Sequence, residues 1–566
     1  MMHRIVAFAV AGVLAAAVSA TATPARVPAG VGTPPPRPTA PPGHAPHPRP
    51  PQHHKPPQRH EPPHHHKPPH HNEPPHHHKP PHHHKPPQHP RPPHTPPHTP
   101  GPTAPPPGAG TGGEAWAWTQ LTSHGTQIRY VSTDASLTCP TVRYTLGTQV
   151  TVPLQRVSTP TGGHFPTTVC ESGAQTPVPL GATGAQLVPT TVRAATLHPA
   201  GGHLPLPRWT ATTRPRTVNV IGDTGCELPV NPAEAAQSCA TAWPFTPIAN
   251  SIARGAPDLV IHTGDYLYRN DPGRADDKAR NPGCTLRAQA ASWACVVADF
   301  FRPAEALLAA APVVLARGNH EDCTGQAGGA GDAWFRYLAD ELRGNGTCSR
   351  FPPPATIRAG LLNLVSVDSS SADPGDTGST AQVNTFVPQF QAVNRAAGQR
   401  PSEDFFVLTH KPVWMAKSAG QAPGAVTWLT HVLDAAVAGT AQQRLADNVR
   451  LVLSGHVHLY QMLDFATVRP PQLTVGSSGS PLDRGPVDDN VTGQPVGTPP
   501  QPVHRSVTQV ENPSNPPAGL DGVAGYGQLR HDNGTWDLTF HRTDGAVRGQ
   551  VCTLSTSLTA KSFSCH

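Results

Sequence analysis

The chain has 566 residues, among them 73 prolines, 51 glycines and 34 histidines; 36% of it is apolar and 14% charged. Its net charge of +6 sits in one segment, because residues 34–107 carry eight Lys/Arg against two Glu and leave 34 basic and 34 acidic residues elsewhere. A neutral body lacks the basic footprint of a nucleic-acid binder, so no nucleic acid is expected as partner, and the length predicts about two to four domains.

The N-terminus reads Met-Met-His-Arg, then an apolar run from Ile5 to Val18, then small residues at Val18-Ser19-Ala20 and Ala20-Thr21-Ala22. That is the build of a secretory signal peptide over residues 1–22. No later stretch is apolar for 18 residues, so no membrane span is expected after cleavage, and the mature chain is expected to be secreted.

Residues 23–112 form a Pro/His-rich segment with a six-residue repeat: Glu61-Pro-Pro-His-His-His, Lys67-Pro-Pro-His-His-Asn, Glu73-Pro-Pro-His-His-His and Lys79-Pro-Pro-His-His-His, decaying at Lys85 and Arg91. It has no apolar face, and paired prolines favour solvated polyproline II, so a disordered spacer is expected. Its clustered imidazoles are suited to transition metals such as Zn, Cu or Ni, or to gaining charge below about pH 6.5; a spacer with no specific role is the plain alternative.

Residues 113–215 are rich in Thr, Val and turn residues, with strands expected at Gln127 to Val131, Thr141 to Tyr144, Gln149 to Leu154 and Gln186 to Val192. They read as a small all-β, sandwich-like domain. Over 216–566 apolar runs (Val218 to Ile221, Leu259 to Ile261, Val313 to Leu315, Leu361 to Val367, Phe405 to Leu408, Leu451 to Leu453) alternate with helical stretches such as Ala233 to Arg254 and Ala425 to Ala438. That alternation predicts an α/β fold whose helices cover a largely buried sheet. Strands Trp536 to His541 and Gly549 to Leu554 around Asp544-Gly545 close the chain.

The ten cysteines fall in sequential neighbours, Cys139/Cys170, Cys226/Cys239, Cys284/Cys295, Cys323/Cys348 and Cys552/Cys565, without a CxxC. In an exported chain this favours disulfides over a zinc-thiolate site, with sequential pairing taken from proximity alone.

Five apolar runs end in a polar cluster: Gly222-Asp223-Thr224-Gly225; Gly264-Asp265-Tyr266-Leu267-Tyr268; Gly318-Asn319-His320-Glu321; Thr409-His410; and Gly455-His456-Val457-His458. Each alone is an ordinary turn, but strand ends in α/β sheets form the ligand crevice, so the five converge. Together they offer O and N donors without thiolate, enough for two metal ions sharing a carboxylate. Such a pair activates water for attack on a phosphoester through a bridging hydroxide.

This ordered set resembles the calcineurin-like metallophosphoesterase superfamily and, within it, the purple acid phosphatases, over residues 217 to 483. The resemblance implies a layered β-sandwich flanked by helices. Most of the superfamily has Asp-x-His first, whereas this chain has Asp223-Thr224-Gly225; purple acid phosphatases lack that histidine too and place a tyrosine three residues after the second aspartate, where Tyr268 stands. The resemblance therefore implies Fe(III) on Asp223, Tyr268 and His458, a second, divalent ion (Fe, Zn or Mn) on Asn319, His410 and His456, Asp265 bridging, and His320 meeting the phosphate or protonating the leaving oxygen. Glu321 and Asp322 either orient His320 or begin the next turn. Val475 to Asp483 resembles the Gly-rich loop that closes near this site. The disulfide-bearing segments Asn270 to Trp293 and Cys323 to Cys348, the latter with Trp334 and Tyr337, are expected to rim a narrow mouth suited to small phosphorylated substrates. The expected activity is hydrolysis of extracellular phosphomonoesters, as an acid phosphatase; a phosphodiesterase on the same centre, or a metal-binding adhesive surface protein acting through the tail, are the alternatives.

Overall fold

A computed structural model describes residues 113–134, 138–161, 163–228, 237–239, 241–269, 284, 291–324, 329–344, 347–373, 379–416, 431–483, 491–509 and 524–566. All of these residues fall in one compact unit, Pro102–His566. The expected signal peptide and the His/Pro repeats lie outside the described residues.

Two large sheets form the centre. In the 12-stranded sheet the neighbouring strands Thr217–Ile221, Leu259–His262 and Val313–Leu315 are parallel, and each ends in one of the first three polar clusters. In the seven-stranded sheet Leu362–Ser366, Asp404–Leu408, Val449–Ser454 and Gln472–Val475 run parallel, and the second and third lead into His410 and Gly455-His456.

Strand periodicity explains why the sheets stack. Successive side chains point to opposite faces, and a strand buried on both faces reads as a continuous apolar run. Val218, Val220, Leu259, Ile261 and Val314 meet Leu364, Phe406, Leu408, Leu451 and Leu453 in one cluster between the sheets. The alternate residues Ile221 and Val260 pack into a cluster with helices Phe245–Arg254, Glu305–Ala310 and Ala330–Tyr337. Val365, Phe405, Val407 and Val452 pack under helices Thr380–Gly398 and His431–Ala438. The protein is a helix-flanked, layered α/β fold.

Helix Phe245–Arg254 is set by Phe245, Ile248, Ala249 and Ile252, buried at helical spacing. Of the expected helix Ala233 to Arg254, residues 233–236 and 240 lie outside the described residues, and the described helix begins at Phe245, since Pro244 disfavours helical backbone at the residue before it. Residues 425–430 of the other expected helix lie outside the described residues; its remainder is His431–Ala438.

Strands Glu114–Thr122, Gly125–Ser132, Gln155–Ser158, Thr168–Glu171 and Thr196–His198 belong to the 12-stranded sheet, which Glu114–Thr122 enters by pairing in parallel with Val313–Leu315. Thr141–Leu146, Thr148–Pro153, Thr183–Leu187 and His203–Leu204 form a separate four-stranded sheet. Ala115, Ala117, Ile128 and Tyr130 from the first set pack against Val142, Tyr144, Ala185 and Leu187 from the second. All five sequential disulfides are present, Cys139–Cys170, Cys226–Cys239, Cys284–Cys295, Cys323–Cys348 and Cys552–Cys565.

Of the two expected rim aromatics, Trp334 lines a cavity with Leu315, Arg317 and Phe335, whereas Tyr337 does not. Both are buried on helix Ala330–Tyr337, whose Tyr337 hydroxyl lies 2.7 Å from Thr167 Oγ1 and whose ring packs edge-on against Phe165. Of the other expected rim, residues 270–283 and 285–290 lie outside the described residues.

Candidate metal centre

The five clusters meet where the parallel strands of both sheets end. Asp223 and Asp265 are fully buried, and each hands its backbone to the other's turn: Asp223 N donates to Gly264 O at 2.9 Å, and Thr224 N donates to Asp265 O at 3.0 Å. Asp223, Asp265 and His456 all hold positive φ, 55°, 61° and 71°. Left-handed backbone at non-glycine residues is unfavourable and persists where surrounding structure over-determines it, a pattern concentrated at functional sites.

The side chains then converge. Tyr268 Oη lies 2.7 Å from Asp265 Oδ2, 3.1 Å from Asp223 Oδ1 and 2.9 Å from His458 Nε2. His410 Nε2 lies 2.9 Å from Asn319 Oδ1 and 3.1 Å from Asp265 Oδ2. Asp265, His410 and His456 place ligand atoms within 4.8 Å of one another. His456 also donates its backbone N–H to both Asp223 oxygens, at 3.1 and 3.0 Å.

The imidazoles are oriented from behind. His410 Nδ1 faces Thr263 O at 3.0 Å, and His458 Nδ1 faces Pro481 O at 2.8 Å. A carbonyl accepts only, so each Nδ1 is the donor and each Nε2 is the atom turned inward. His320 is placed differently: its ring stacks on Tyr268 at 3.9 Å while its backbone N–H donates to Asp265 Oδ1 at 2.8 Å.

The donor set calls for a cation. One phenolic proton is shared among three acceptors, and the ion pairs found for Asp223 and Asp265 among the described residues are to histidines, without Lys or Arg. Burial and the nearby Asp265 push the Asp223 carboxyl up to about 7. Burial also opposes charge on His410, yet the carboxylates of Asp265 and Asp223 outweigh it and push the ring up to about 9. Two buried carboxylates crowded by imidazoles, a phenol and an amide, balanced only by the titration of those same groups, are the chemistry of a metal site. The oxygen and nitrogen donors suit Fe, Mn or Zn.

Other residues support the donor set from behind, and of these Ser369 and Asp299 carry no mark in the sequence pattern. Glu321 is buried, and its carboxylate accepts from Tyr266 N and Leu267 N at 2.9 Å and from Gly318 N at 3.2 Å, pinning the second cluster to the third; the bonds found for it leave His320 aside. Asp322 instead caps Thr324 N at 2.8 Å. Ser369 Oγ accepts from His410 N and Lys411 N at 3.0 and 2.9 Å. Asp299, fully buried, holds Arg269 and accepts from Tyr268 N at 3.4 Å. The Gly-rich loop closes over the back of the site, with Ser480 N on Asp223 O at 2.8 Å and Asp483 Oδ2 accepting from His458 N at 2.9 Å.

Packing also explains the first cluster's form. A Cβ at Gly225 would lie 2.7 Å from Tyr268 Cδ2 and 2.7 Å from Tyr266 O, so a histidine there and Tyr268 exclude each other in this arrangement.

Residues 216–460 match the family model of the calcineurin-like phosphoesterases. Among solved structures the chain is similar to purple acid phosphatase PPD1 from yellow lupin (Lupinus luteus) seeds, at 15% identity over 76% of this chain and 72% of that one, with a TM-score of 0.46. It is also similar to PhoD, at 12% identity over 79% of this chain and 91% of that one, with a TM-score of 0.46. No curated protein matches it.

Proposed function

Residues 216–460 are a calcineurin-like phosphoesterase domain and the chain is a metal-dependent phosphoester hydrolase; from this premise we propose a secreted, two-metal phosphomonoesterase of the purple acid phosphatase type. The observation that supports it is the convergence of Asp223, Asp265, Tyr268, Asn319, His410, His456 and His458 with donor atoms facing inward and, among the described residues, no Lys or Arg ion-paired to either aspartate.

In this reading Asp223, Tyr268 and His458 would hold Fe(III), Asn319, His410 and His456 would hold a divalent Fe, Zn or Mn ion, and Asp265 would be available to both. When bound, the ions supply Lewis acidity to the phosphoryl group and to the attacking water. The chain supplies the rest. Thr263 O and Pro481 O fix the two rings so that His410 and His458 present Nε2 without reorganisation. The turns behind Asp223 and Asp265 are bonded to each other, which holds the carboxylates at a set separation. His320, kept beside Tyr268 by stacking, is proposed to contact the phosphoryl oxygens and to give its proton to the leaving oxygen. The phosphodiesterase alternative uses the same donors and is separated by assaying aryl monoesters against diesters.

Export is supported by the N-terminal pattern of residues 1–22 and by five disulfides. Among the described residues no helix is long and apolar enough to cross a membrane.

The test compares the chain with Asp265→Asn, both carrying the same histidine-rich tail. Hydrolysis of an aryl phosphate is expected to fall by at least about 1,000-fold and tightly held metal to drop, with a visible phenolate-to-iron band lost in Tyr268→Phe. Turnover surviving in Asp265→Asn would sink the proposal; two colourless ions would keep the phosphoesterase and remove iron.

A further inference from the structure

His262, at the end of strand Leu259–His262, is fully enclosed and contributes no atom to the donor set. Its ring has a polar partner at each nitrogen. Gly264 N–H donates to Nδ1 at 3.1 Å, and Nε2 lies 2.8 Å from Thr224 Oγ1. A backbone N–H can only donate, so Nδ1 is the acceptor, and the hydrogen of the neutral ring sits on Nε2 and donates to Thr224. Burial disfavours the charged ring, so it stays neutral.

The two partners are the neighbours of the buried aspartates: Thr224 follows Asp223 and Gly264 precedes Asp265. These turns are strained, with φ of 55° at Asp223, 115° at Gly264 and 61° at Asp265. Their direct backbone bonds form one tie, and His262 forms a second across the same pair of turns. The ring is itself immobilised by stacking on Tyr266 at 3.9 Å, whose hydroxyl donates to Ala316 O at 2.9 Å, and by an edge contact with Phe300 at 6.0 Å.

We infer that His262 is a positioning residue for the metal centre, setting the separation of the Asp223 and Asp265 carboxylates by bridging Thr224 and Gly264 from behind. The inference rests on the two-metal reading above. It explains why a threonine, whose hydroxyl accepts this bond, stands between Asp223 and Gly225.

The experiment uses the full chain and three variants. Thr224→Val removes the accepting hydroxyl at constant shape, His262→Phe removes both bonds while keeping the stacked ring, and His262→Gln keeps one acceptor and one donor. Metal retained against a competing chelator is measured with Zn(II) alone, as a difference from wild type so that the shared tail cancels, together with kcat and KM for an aryl phosphate. Thr224→Val and His262→Phe are each expected to weaken retention at the centre by about tenfold and to lower kcat with little change in KM. The double variant is expected to be no weaker than His262→Phe, because the bond lost in Thr224→Val is already lost in His262→Phe, and His262→Gln to recover part of the loss. If His262→Phe fails to fold, Thr224→Val carries the test. Wild-type metal retention and kcat in a folded Thr224→Val, additive single effects, or a loss of melting temperature alone would overturn the inference. Wild-type protein that hydrolyses no phosphoester would instead sink the functional reading and leave the retention measurement to decide His262.

Discussion

At Gly318 the space for a side chain is already taken: an added Cβ would lie 2.0 Å from Asp265 Oδ1 and 2.1 Å from its amide nitrogen. The glycine before Asn319 is thus a condition for seating Asp265, and the conflict involves backbone that is itself tied down. Gly318→Ala is expected to shift the carboxylate, lower kcat by at least about 100-fold and reduce bound metal, since a displacement near 1 Å at a reacting centre has that effect. Activity within threefold of wild type would show that the loop yields. The sequence announced a Gly-Asn-His turn here, but the neighbour that makes the glycine necessary lies 53 positions away, at Asp265.

Between elements, His198 on strand Thr196–His198 joins two others. Its Nδ1 lies 2.7 Å from Glu305 Oε1 at the start of helix Glu305–Ala310, its Nε2 lies 3.2 Å from Glu114 Oε1 on strand Glu114–Thr122, and its ring stacks on Trp116 at 4.0 Å. Arg302 also faces Glu114, at 3.0 Å. The Glu114 carboxylate bonded to the ring raises His198 above its ordinary 6.5, and the same bond holds Glu114 below 4.5. A raised histidine contributes stability that is full below 6.5 and is lost as pH rises through its folded value; a lowered carboxylate contributes above 4.5 and loses it as pH falls. The link is therefore strongest in mildly acidic solution. His198→Gln is expected to cost on the order of 1 kcal/mol at about pH 5.5, after discounting for solvent screening, and clearly less at about pH 8.5, measured by denaturant unfolding. An equal loss at both pH values would show that stacking on Trp116, not charge, holds the strand.

Over the whole molecule the donors come from two sheets. Asp223, Asp265 and Asn319 follow strands of the 12-stranded sheet, while His410 and His456 follow strands of the seven-stranded one, so the centre exists only when the sheets are stacked. The charged tail stands apart from this arrangement in sequence: without residues 34–107 the net charge is zero, from 34 basic and 34 acidic residues. Deleting residues 34–107 is expected to leave kcat within about twofold and to remove the weak metal binding proposed for the histidine repeats, read by metal analysis of both proteins. A large loss of turnover would give the tail a part in loading the site.

The apolar runs, the polar clusters at their ends and the adjacency of paired cysteines are local properties, and the sequence by itself determined them, because strand burial and turn chemistry act over a few residues. It therefore marked the residues that the fold brings together at the strand ends. Which clusters face each other, that Glu321 binds the second cluster's backbone, that Trp334 and Tyr337 turn into the core, and that strand Glu114–Thr122 joins the central sheet were decided only by tertiary structure. Those facts depend on contacts between residues far apart in the chain, where packing and the satisfaction of buried polar groups select one partner among many that local pattern leaves equivalent.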